Sequence, residues 1–227
     1  IMMELTINPT EIHLHQIESW LQEEQNNFGE GFYCNWNIIF DSFKKKQLYC
    51  LIDDNFAIGF LCWWSSGNVS TIDIAEIKKD KRGQGFGRMM IENCLAEFKS
   101  QGCKIIKLEC SPPSSEPIWK KLGFIAYSIS NNESYQKMYK TLVENVEPIQ
   151  QKKINYGSII ELWNGEPHQT KNVEPTWKWN ISLSENSNKL KNPILFPCHY
   201  DWRIRYRNEN KVLVDDKVKY FSENEIY

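Results

Sequence analysis

The chain has 227 residues, a formal net charge of −2 and 41% hydrophobic residues, a composition typical of a globular protein. This length fits one large domain or two small ones. The near-neutral charge gives no global attraction to nucleic acid, and no apolar run reaches the ~18 residues that a membrane span needs. The first residues lack the basic region and apolar core of a signal peptide, so the sequence predicts a cytoplasmic protein.

The seven cysteines and four histidines are the first candidates for metal or redox chemistry. The cysteines form no Cys-x-x-Cys pair and mostly lie in apolar runs, as Cys62 does, so they are predicted to be reduced core residues. The histidines have no metal-ligand spacing with them. His13 and His15 lie two residues apart, which on a helix puts them on different faces. The sequence therefore predicts no metal site.

The first half of the chain alternates strand-like and helix-like patterns. Apolar residues recur with helical period after Thr10, which is also a suitable helix cap. A tight turn at Asp54-Asn55 joins two strand-like runs into a hairpin. The predicted elements are a strand at Met2–Ile7, a helix from Thr10, an aromatic stretch at 28–46 with a short helix, and strands at Gln47–Asp53, Phe56–Trp64 and Val69–Ile77.

The strand Val69–Ile77 leads into a basic turn with three glycines, Gly83, Gly85 and Gly87, and then into a helical pattern. Alternation along the strand predicts two faces, one with Ile72 and Ile74, the other with Thr71, Asp73, Ala75 and Ile77. Glycine lets another molecule approach the main chain closely. The first N–H groups of a helix have no internal partner, and the helix dipole favours negative charge there. The segment therefore predicts a phosphate-binding loop.

Two well-known phosphate loops do not match this segment. A Walker loop needs Gly-Lys followed by Ser or Thr, and Gly87 is followed by Arg88. A dinucleotide fingerprint needs a third glycine that is missing here. The remaining pattern, Arg82-x-x-Gly85-x-Gly87, resembles the pyrophosphate signature of the GNAT superfamily, the acyl-CoA-dependent N-acetyltransferases. Downstream, the segment Trp119-Lys-Lys-Leu-Gly-Phe124 resembles the family's Tyr-x-x-Leu-Gly-Phe stretch, with tryptophan in place of tyrosine.

The resemblance covers roughly residues 1–145 and implies an α+β fold, a mixed and mostly antiparallel sheet flanked by helices. Polar composition at Val143–Lys153 indicates a boundary. Residues 146–227 then show short strand-like runs, and they are predicted to form a β-rich C-terminal module of unknown role. The predicted organisation is a GNAT acetyltransferase domain at 1–145 followed by this module at 146–227.

The resemblance implies acetyl-CoA as co-substrate and assigns residues to it. The loop backbone would hold the pyrophosphate, and Arg82 and Arg88 would add positive charge. Backbone groups near Ile77 would line up with the pantetheine arm and polarise the thioester carbonyl. The predicted cofactor-binding residues are Ile77, Arg82, Gly83, Gln84, Gly85, Phe86, Gly87, Arg88, Ser115 and Trp119. For Ser115 the alternative is a helix cap.

Acyl transfer to an amine also needs a base, because a lysine-type ammonium has a pKa of about 10.4. Family members often place a carboxylate on the strand that leads into the loop, which selects Asp73, while alternation turns Glu76 the other way. The alternative for Asp73 is a solvated or ion-paired strand residue. Trp119 replaces the tyrosine that usually protonates the departing thiolate, and an indole N–H is too weak an acid for that role.

Three functions are compatible with the sequence. The first is an N-acetyltransferase that passes an acetyl group directly from acetyl-CoA to an amine acceptor, either a small molecule or a protein. The alternative is a non-catalytic acyl-CoA-binding sensor or interaction module. In the third, the C-terminal module is the functional centre, a nucleic-acid or protein recognition unit, and the first domain is its modifier. No membrane and no nucleic acid partner is expected from the composition, and a homodimer is left open.

The C-terminal module contains three of the five arginines of the chain. Alternation along Tyr200–Arg207 puts Arg203, Arg205 and Arg207 on one face of a strand. Such a row could bind phosphates or carboxylates. It could equally pair with Glu209, Asp215 and Asp216 across a hairpin. A separate turn is predicted at Asp215-Asp216, between strand-like runs at Lys211–Val214 and Lys217–Phe221.

Overall fold

The structure, a computed structural model, describes residues 3–29, 31–127, 135–149, 157–184 and 189–221. Contacts divide the chain into two units, and the division along the sequence falls between Leu142 and Val143. The first unit contains the described residues up to 127 together with 135–142. The second unit contains the described residues from Val143 onward.

The first unit consists of one sheet with helices on both faces, as predicted. Its elements are β1 (Met3–Thr6), α1 (Glu11–Phe28), α2 (Trp36–Lys44), β2 (Leu48–Asp53), β3 (Phe56–Ser66), β4 (Val69–Ile77), α3 (Phe86–Ser100), β5 (Ile105–Cys110), α4 (Glu116–Lys121), β6 (Ile125–Ala126) and β7 (Gln136–Thr141). The sequence also predicts a hairpin turn at Asn131-Asn132, and these two residues lie outside the described ones. Short 3₁₀ turns occur at Tyr33–Asn35, Lys79–Lys81 and Pro113–Ser115.

The strands of the first unit form a seven-stranded sheet in the order β1-β2-β3-β4-β5-β7-β6. Every neighbouring pair is antiparallel except β4 and β5, which are parallel. A parallel pair needs a crossover connection, and α3 supplies it. The α+β, mostly antiparallel architecture predicted from the sequence is confirmed.

Each face of this sheet carries its own apolar core. On one face the apolar side of α3, including Met90 and Phe98, packs against the sheet. On the other face α1 and α2 contribute Trp20 and Ile39, which are buried. The indole N–H of Trp20 donates to the carbonyl oxygen of Ala57 at 3.0 Å, so even its polar atom is satisfied. The sheet therefore lies between two helical layers.

The predicted alternation along β4 is wrong because the strand contains a β-bulge. Cys62 lies opposite Ile74 and the next residue on β3 lies opposite Ile72, so Asp73 is the extra residue. As a result Ile72 packs in the α3-side core with Ile77 and Ala75, while Ile74 packs in the α1-side core. A strict period of two had placed Ile72 and Ile74 on one face.

The second unit contains a four-stranded antiparallel sheet in the order β11-β10-β8-β9. Its strands are β8 (Ser158–Leu162), β9 (Trp177–Ile181), β10 (Arg203–Asn208) and β11 (Lys211–Lys217), with a 3₁₀ turn at Val218–Tyr220. The turn predicted at Asp215-Asp216 is wrong, since both residues lie within β11. One of the short strand-like runs that the sequence predicts for this unit, Ile194–Phe196, is a buried segment outside the named strands.

The three arginines of β10 are bound by carboxylates of their own unit. Nε and Nη2 of Arg203 donate to Oδ1 and Oδ2 of Asp215, and both distances are 2.6 Å. Arg205 and Arg207 both contact Glu161 on β8, at 2.7 and 3.4 Å. The Glu161 side chain is only 4% exposed. The pair with Asp215 agrees with the expectation from the sequence, and Glu161 is a further partner that the sequence does not predict.

We expect Glu161→Gln to destabilise the folded chain, because it leaves Arg205 and Arg207 without their buried counter-charge. Removing one partner of a buried ion pair costs roughly 3 kcal/mol or more. The measurement is chemical unfolding of the full chain, with Glu174→Gln as matched control. Glu174 pairs with Lys178 in the same unit but is 91% exposed, so its loss should cost less than about 1 kcal/mol. Equal stability of the two variants would contradict the assignment.

Candidate active site

A cleft opens in the first unit where β4 and β5 separate. The parallel pairing joins Val69–Ile72 to Ile105–Leu108, and the described register ends there. Beyond that point β4 keeps its partner β3 on one edge only. The cleft has a volume of about 250 Å³ and is lined by β4, the start of α3, the end of β5 and α4. An open strand edge of this kind presents N–H and C=O groups to a ligand.

The glycine loop connects the end of β4 to the start of α3. Gly83 and Gly85 have φ values of 76° and 86°, in the left-handed region that glycine adopts without strain. Gly85 is the residue that precedes α3, so the N–H groups of Phe86, Gly87 and Arg88 belong to the first helical turn. These groups have no partner within the helix and lie at the positive end of its dipole. The loop has the geometry predicted for an anion site.

The basic side chains around this loop are largely neutralised by carboxylates. Lys81 contacts Asp53 at 3.0 Å, and Arg88 contacts Glu92 at 2.8 Å. Lys78 contacts Asp80 at 2.8 Å. The positive field of the loop therefore comes chiefly from its backbone N–H groups.

Arg82 is placed differently from the expectation that it adds charge at the pyrophosphate. Its Nη2 lies 3.3 Å from Oε2 of Glu24 on α1 and 2.9 Å from Oε1 of Glu76. Its Nε–H donates to the carbonyl oxygen of Ile77 at 2.8 Å. The guanidinium thus links α1 to the end of β4, and two carboxylates offset its charge.

The other predicted cofactor residues divide into two groups. Ile77, Gly87, Arg88, Ser115 and Trp119 line the cleft. Gly83, Gln84, Gly85 and Phe86 form the loop and the start of α3 beside it. The Gln84 amide donates to the carbonyl oxygen of Asp80 at 3.1 Å, which braces the loop, and Phe86 packs against the α3-side core.

Trp119 and Ser115 close the cleft on the α4 side. The Trp119 ring meets Phe124 edge to face, with centroids 5.2 Å apart, and joins the α3-side core. Ser115 sits at the cap position of α4 but makes no side-chain cap bond there, and its hydroxyl donates to the carbonyl oxygen of Pro112 at 2.8 Å. Trp119 therefore acts as packing at this end of the cleft.

Asp73, the bulge residue, lines two cavities. One is the cleft, and the other is a second cavity of about 370 Å³ on the α2 side, lined also by Asp41, Lys45 and Trp64. The indole N–H of Trp64 donates to Asp73 Oδ1 at 3.0 Å. Partial burial raises the pKa of the Asp73 carboxyl above its usual value, and the Trp64 hydrogen bond opposes that rise. Asp73 is thus a carboxylate that both cavities can reach.

Glu76 also lines the cleft, contrary to the expectation that it points away from the chemistry. Its side chain is 14% exposed. Burial raises the pKa of Glu76, Arg82 lowers it and Glu24 raises it again. The sequence does place a carboxylate, Glu76, directly before Ile77, the predicted thioester-binding position. Strict alternation along the strand, however, predicted that this carboxylate faces the other way.

No cluster of three or more His, Cys, Asp or Glu side chains suited to a metal ion occurs among the described residues. His13 instead serves the start of α1, where its Nδ1 accepts the backbone N–H of Thr10 at 3.2 Å. No helix in the described part of the chain is long and apolar enough to cross a membrane.

Comparison with known proteins matches the first unit to one family. Residues 13–124 match the sequence model of the acetyltransferase (GNAT) family. A comparison with curated proteins finds no significant match.

Solved structures are similar in fold. Ard1 from Thermoplasma volcanium is 17% identical, with a TM-score of 0.51 over 63% of this chain and 100% of that chain. A GNAT acetyltransferase from Bacillus cereus gives the same four values. PaiA N-acetyltransferase from Thermoplasma acidophilum, solved with coenzyme A, is 15% identical, with a TM-score of 0.50 over 62% of this chain and 99% of that chain. Residues 13–124, which the family model matches, are therefore an acetyltransferase domain of the GNAT family.

Proposed function

We propose that the chain transfers an acetyl group directly from acetyl-CoA to an amine acceptor. The observation that carries the proposal is the cleft that runs from the first turn of α3 to the open edge of β4. A phosphate cradle at one end and open strand-edge amides at the other match the two ends of an acyl-CoA. Acetyl-CoA supplies an activated acyl group, a thioester that an amine can attack.

The residues of the cleft can be given roles in that reaction. The N–H groups of Phe86, Gly87 and Arg88 would bind the pyrophosphate. The N–H of Ile77 would donate to the thioester oxygen and stabilise the negative charge that develops there. Asp73 would accept the proton that the acceptor ammonium must lose before it attacks.

Trp119 has no acidic proton to give to the departing sulfur. A thiol pKa of about 8.5 makes the thiolate a fair leaving group, which can take its proton from water. Trp119 would instead pack against the pantetheine arm. Direct transfer by this scheme needs no side chain to carry the acetyl group.

The cavity on the α2 side supports a route for the acceptor. It reaches Asp73 from the sheet face opposite α3, so an amine could approach the thioester without crossing the cofactor. Its polar lining, including Asp41 and Lys45, which pair at 2.6 Å, favours a polar acceptor. Screening small amines and peptides as acceptors distinguishes a small-molecule substrate from a protein substrate.

The compartment we propose is the cytoplasm. All seven cysteines are free, and five of them are buried, which suits a reducing environment. The second unit, from Val143 onward, we propose to be a separate module attached to the acetyltransferase domain.

A second candidate function is an acyl-CoA sensor that binds the cofactor without turnover. The observation that favours it is Trp119, which replaces the expected acid with a packing residue. Release of free thiol from acetyl-CoA with a panel of amines separates the two functions. Amine-dependent release supports the transferase, and tight binding without release supports the sensor.

We expect Gly85→Glu to abolish binding of CoA, because it puts bulk, strain and negative charge into the cradle. The measurement is the shift in melting temperature on adding CoA to the full chain. Gly67→Glu is the matched control: Gly67 also has a positive φ, of 58°, and a side chain there would meet nothing within 4 Å of its Cβ, but it lies in the β3–β4 turn. We expect CoA to raise the melting temperature of the parent and of Gly67→Glu, and to leave that of Gly85→Glu unchanged. An equal shift in all three would contradict the cradle.

We expect Asp73→Asn to lower kcat/KM by about 10²-fold or more near neutral pH, because the amide cannot accept the proton. The loss should shrink as the pH approaches the pKa of the amine, about 10, where the acceptor arrives neutral. CoA affinity should stay unchanged. Asp54→Asn in the β2–β3 turn is the control, and activity within a few-fold of the parent at every pH would place the base elsewhere.

The pH profile offers a sharper test of the same assignment. Activity should fall as the pH drops through the raised pKa of Asp73, since only the ionised form accepts a proton. Trp64→Phe removes a hydrogen bond that lowers this pKa. The acid limb of kcat/KM should therefore move to higher pH in Trp64→Phe. A limb that stays in place would mean that another group titrates.

A further inference from the structure

The open edge of β4 ends at the amide of Ile77. The N–H of the next residue, Lys78, donates to the carbonyl oxygen of Ile58 on β3 at 2.8 Å. Successive amides of a strand point to opposite edges, so the Ile77 amide faces away from β3 and towards the cleft. Pairing with β5 has already ended at Ile72, and the strand edge there offers this N–H to a ligand.

In the structure a side chain of the protein already uses that amide. Oε1 of Glu76 accepts the Ile77 N–H at 3.2 Å. The same oxygen lies 2.9 Å from Nη2 of Arg82. Arg82 is fixed in turn by the carbonyl oxygen of Ile77, at 2.8 Å, and by Glu24.

Glu24 anchors this arrangement from α1. It is only 5% exposed, and its Oε1 accepts the backbone N–H of Lys79 at 2.7 Å while Oε2 contacts Arg82. The Glu76 carboxylate is therefore held against the Ile77 amide by a network that reaches from α1 to the loop.

We propose that Glu76 competes with the acetyl thioester for the Ile77 amide, so that acetyl-CoA must displace the Glu76 carboxylate in order to bind productively. This inference rests on the proposed function, in which the thioester oxygen takes that amide. A carboxylate is the stronger acceptor, because a hydrogen bond to an ionised group is roughly twice as strong as one between neutral groups. Glu76 therefore sets the affinity of the cleft for an acyl thioester.

The competition distinguishes acetyl-CoA from free CoA. Free CoA has no acyl carbonyl, so its thiol end accepts no hydrogen bond from the Ile77 amide. The Glu76 carboxylate can therefore stay in place. Removing the Glu76 carboxylate should then strengthen acetyl-CoA binding selectively. A general electrostatic effect, in which one negative charge repels the phosphates, would strengthen the binding of both ligands equally.

Protonation of Glu76 gives the same competition a pH dependence. Only the ionised carboxylate holds the amide strongly, and the pKa of Glu76 is raised by burial. Acetyl-CoA affinity should therefore rise, relative to CoA, as the pH falls through that pKa. The charged groups that face Glu76 or share the cleft are Glu24 on α1, Asp73 on β4, Arg82 in the loop, Arg88 on α3 and Glu109 on β5.

The experiment is calorimetric titration of the full chain with acetyl-CoA and with CoA. We expect Glu76→Ala to bind acetyl-CoA about 10-fold more tightly, the size of one hydrogen bond to a charged group, and CoA within about two-fold of the parent. Glu76→Gln, whose neutral oxygen still accepts the amide, should fall between. Glu4→Ala, an exposed strand glutamate on β1, is the control and should change neither ligand. Melting temperatures confirm that each variant is folded.

The pH readout is the ratio of the two dissociation constants, since the phosphates of both ligands titrate alike and cancel. The ratio should depend on pH in the parent and lose that dependence in Glu76→Gln. An unchanged ratio in Glu76→Ala, or weaker acetyl-CoA binding, would overturn the inference while the parent still binds both ligands. A parent that binds neither ligand would refute the proposed function and this inference with it.

Discussion

The separation of β4 from β5 is the constraint on which the candidate site depends. Had the parallel pairing continued past Ile72 and Leu108, the edge amides of β4 would bind the neighbouring strand and no cleft would exist. The bulge at Asp73 lies at this point, and bulges bend a strand and end its pairing. Since β4 also leads into the loop before α3, one nine-residue strand brings carboxylates, an open amide and a helix N-terminus together. The candidate site is therefore a consequence of where a single strand pairing stops.

The basic side chains around the candidate site are paired with carboxylates, so an anion bound there would contact chiefly backbone N–H groups. Lys81 and Arg88 each have a carboxylate against them, and Arg82 has two. Burying the carboxylates of Glu24 and Glu76 costs solvation free energy. The charge of Arg82 and the hydrogen bonds that backbone N–H groups donate to these carboxylates offset this cost. Such a network is costly to break, because any missing member leaves an uncompensated charge. It fixes the end of β4 relative to α1, which is where the acyl group and the acceptor would have to meet.

The sequence predicted the order of strands and helices, the glycine loop and the family, because these follow from local patterns and from backbone conformations that glycine supplies. It failed at the register of β4 and at most ion pairs between distant elements, although the pairing of the arginine row with Asp215 was expected. One inserted residue at Asp73 put Ile72 and Ile74 on opposite faces of the sheet. Glu76 also lines the cleft, which strict alternation did not predict. The partners of Arg82 could not be foreseen either, since Glu24 lies 58 positions away in the sequence. Pairing register and long-range ion pairs are properties of the folded sheet.

The same dependence on register explains the arginines of the second unit. Arg205 lies directly opposite Glu161 in the β10–β8 ladder, and both side chains share a face with Trp163, over which Arg203 and Arg205 lie at 4.5 and 4.8 Å. A slip of one residue would move these charges into the opposite, apolar face. The buried carboxylate thus penalises every register but one. Any acidic ligand for this row would have to displace Glu161 or Asp215 from its arginine. In this structure the row therefore stabilises the sheet through its own ion pairs.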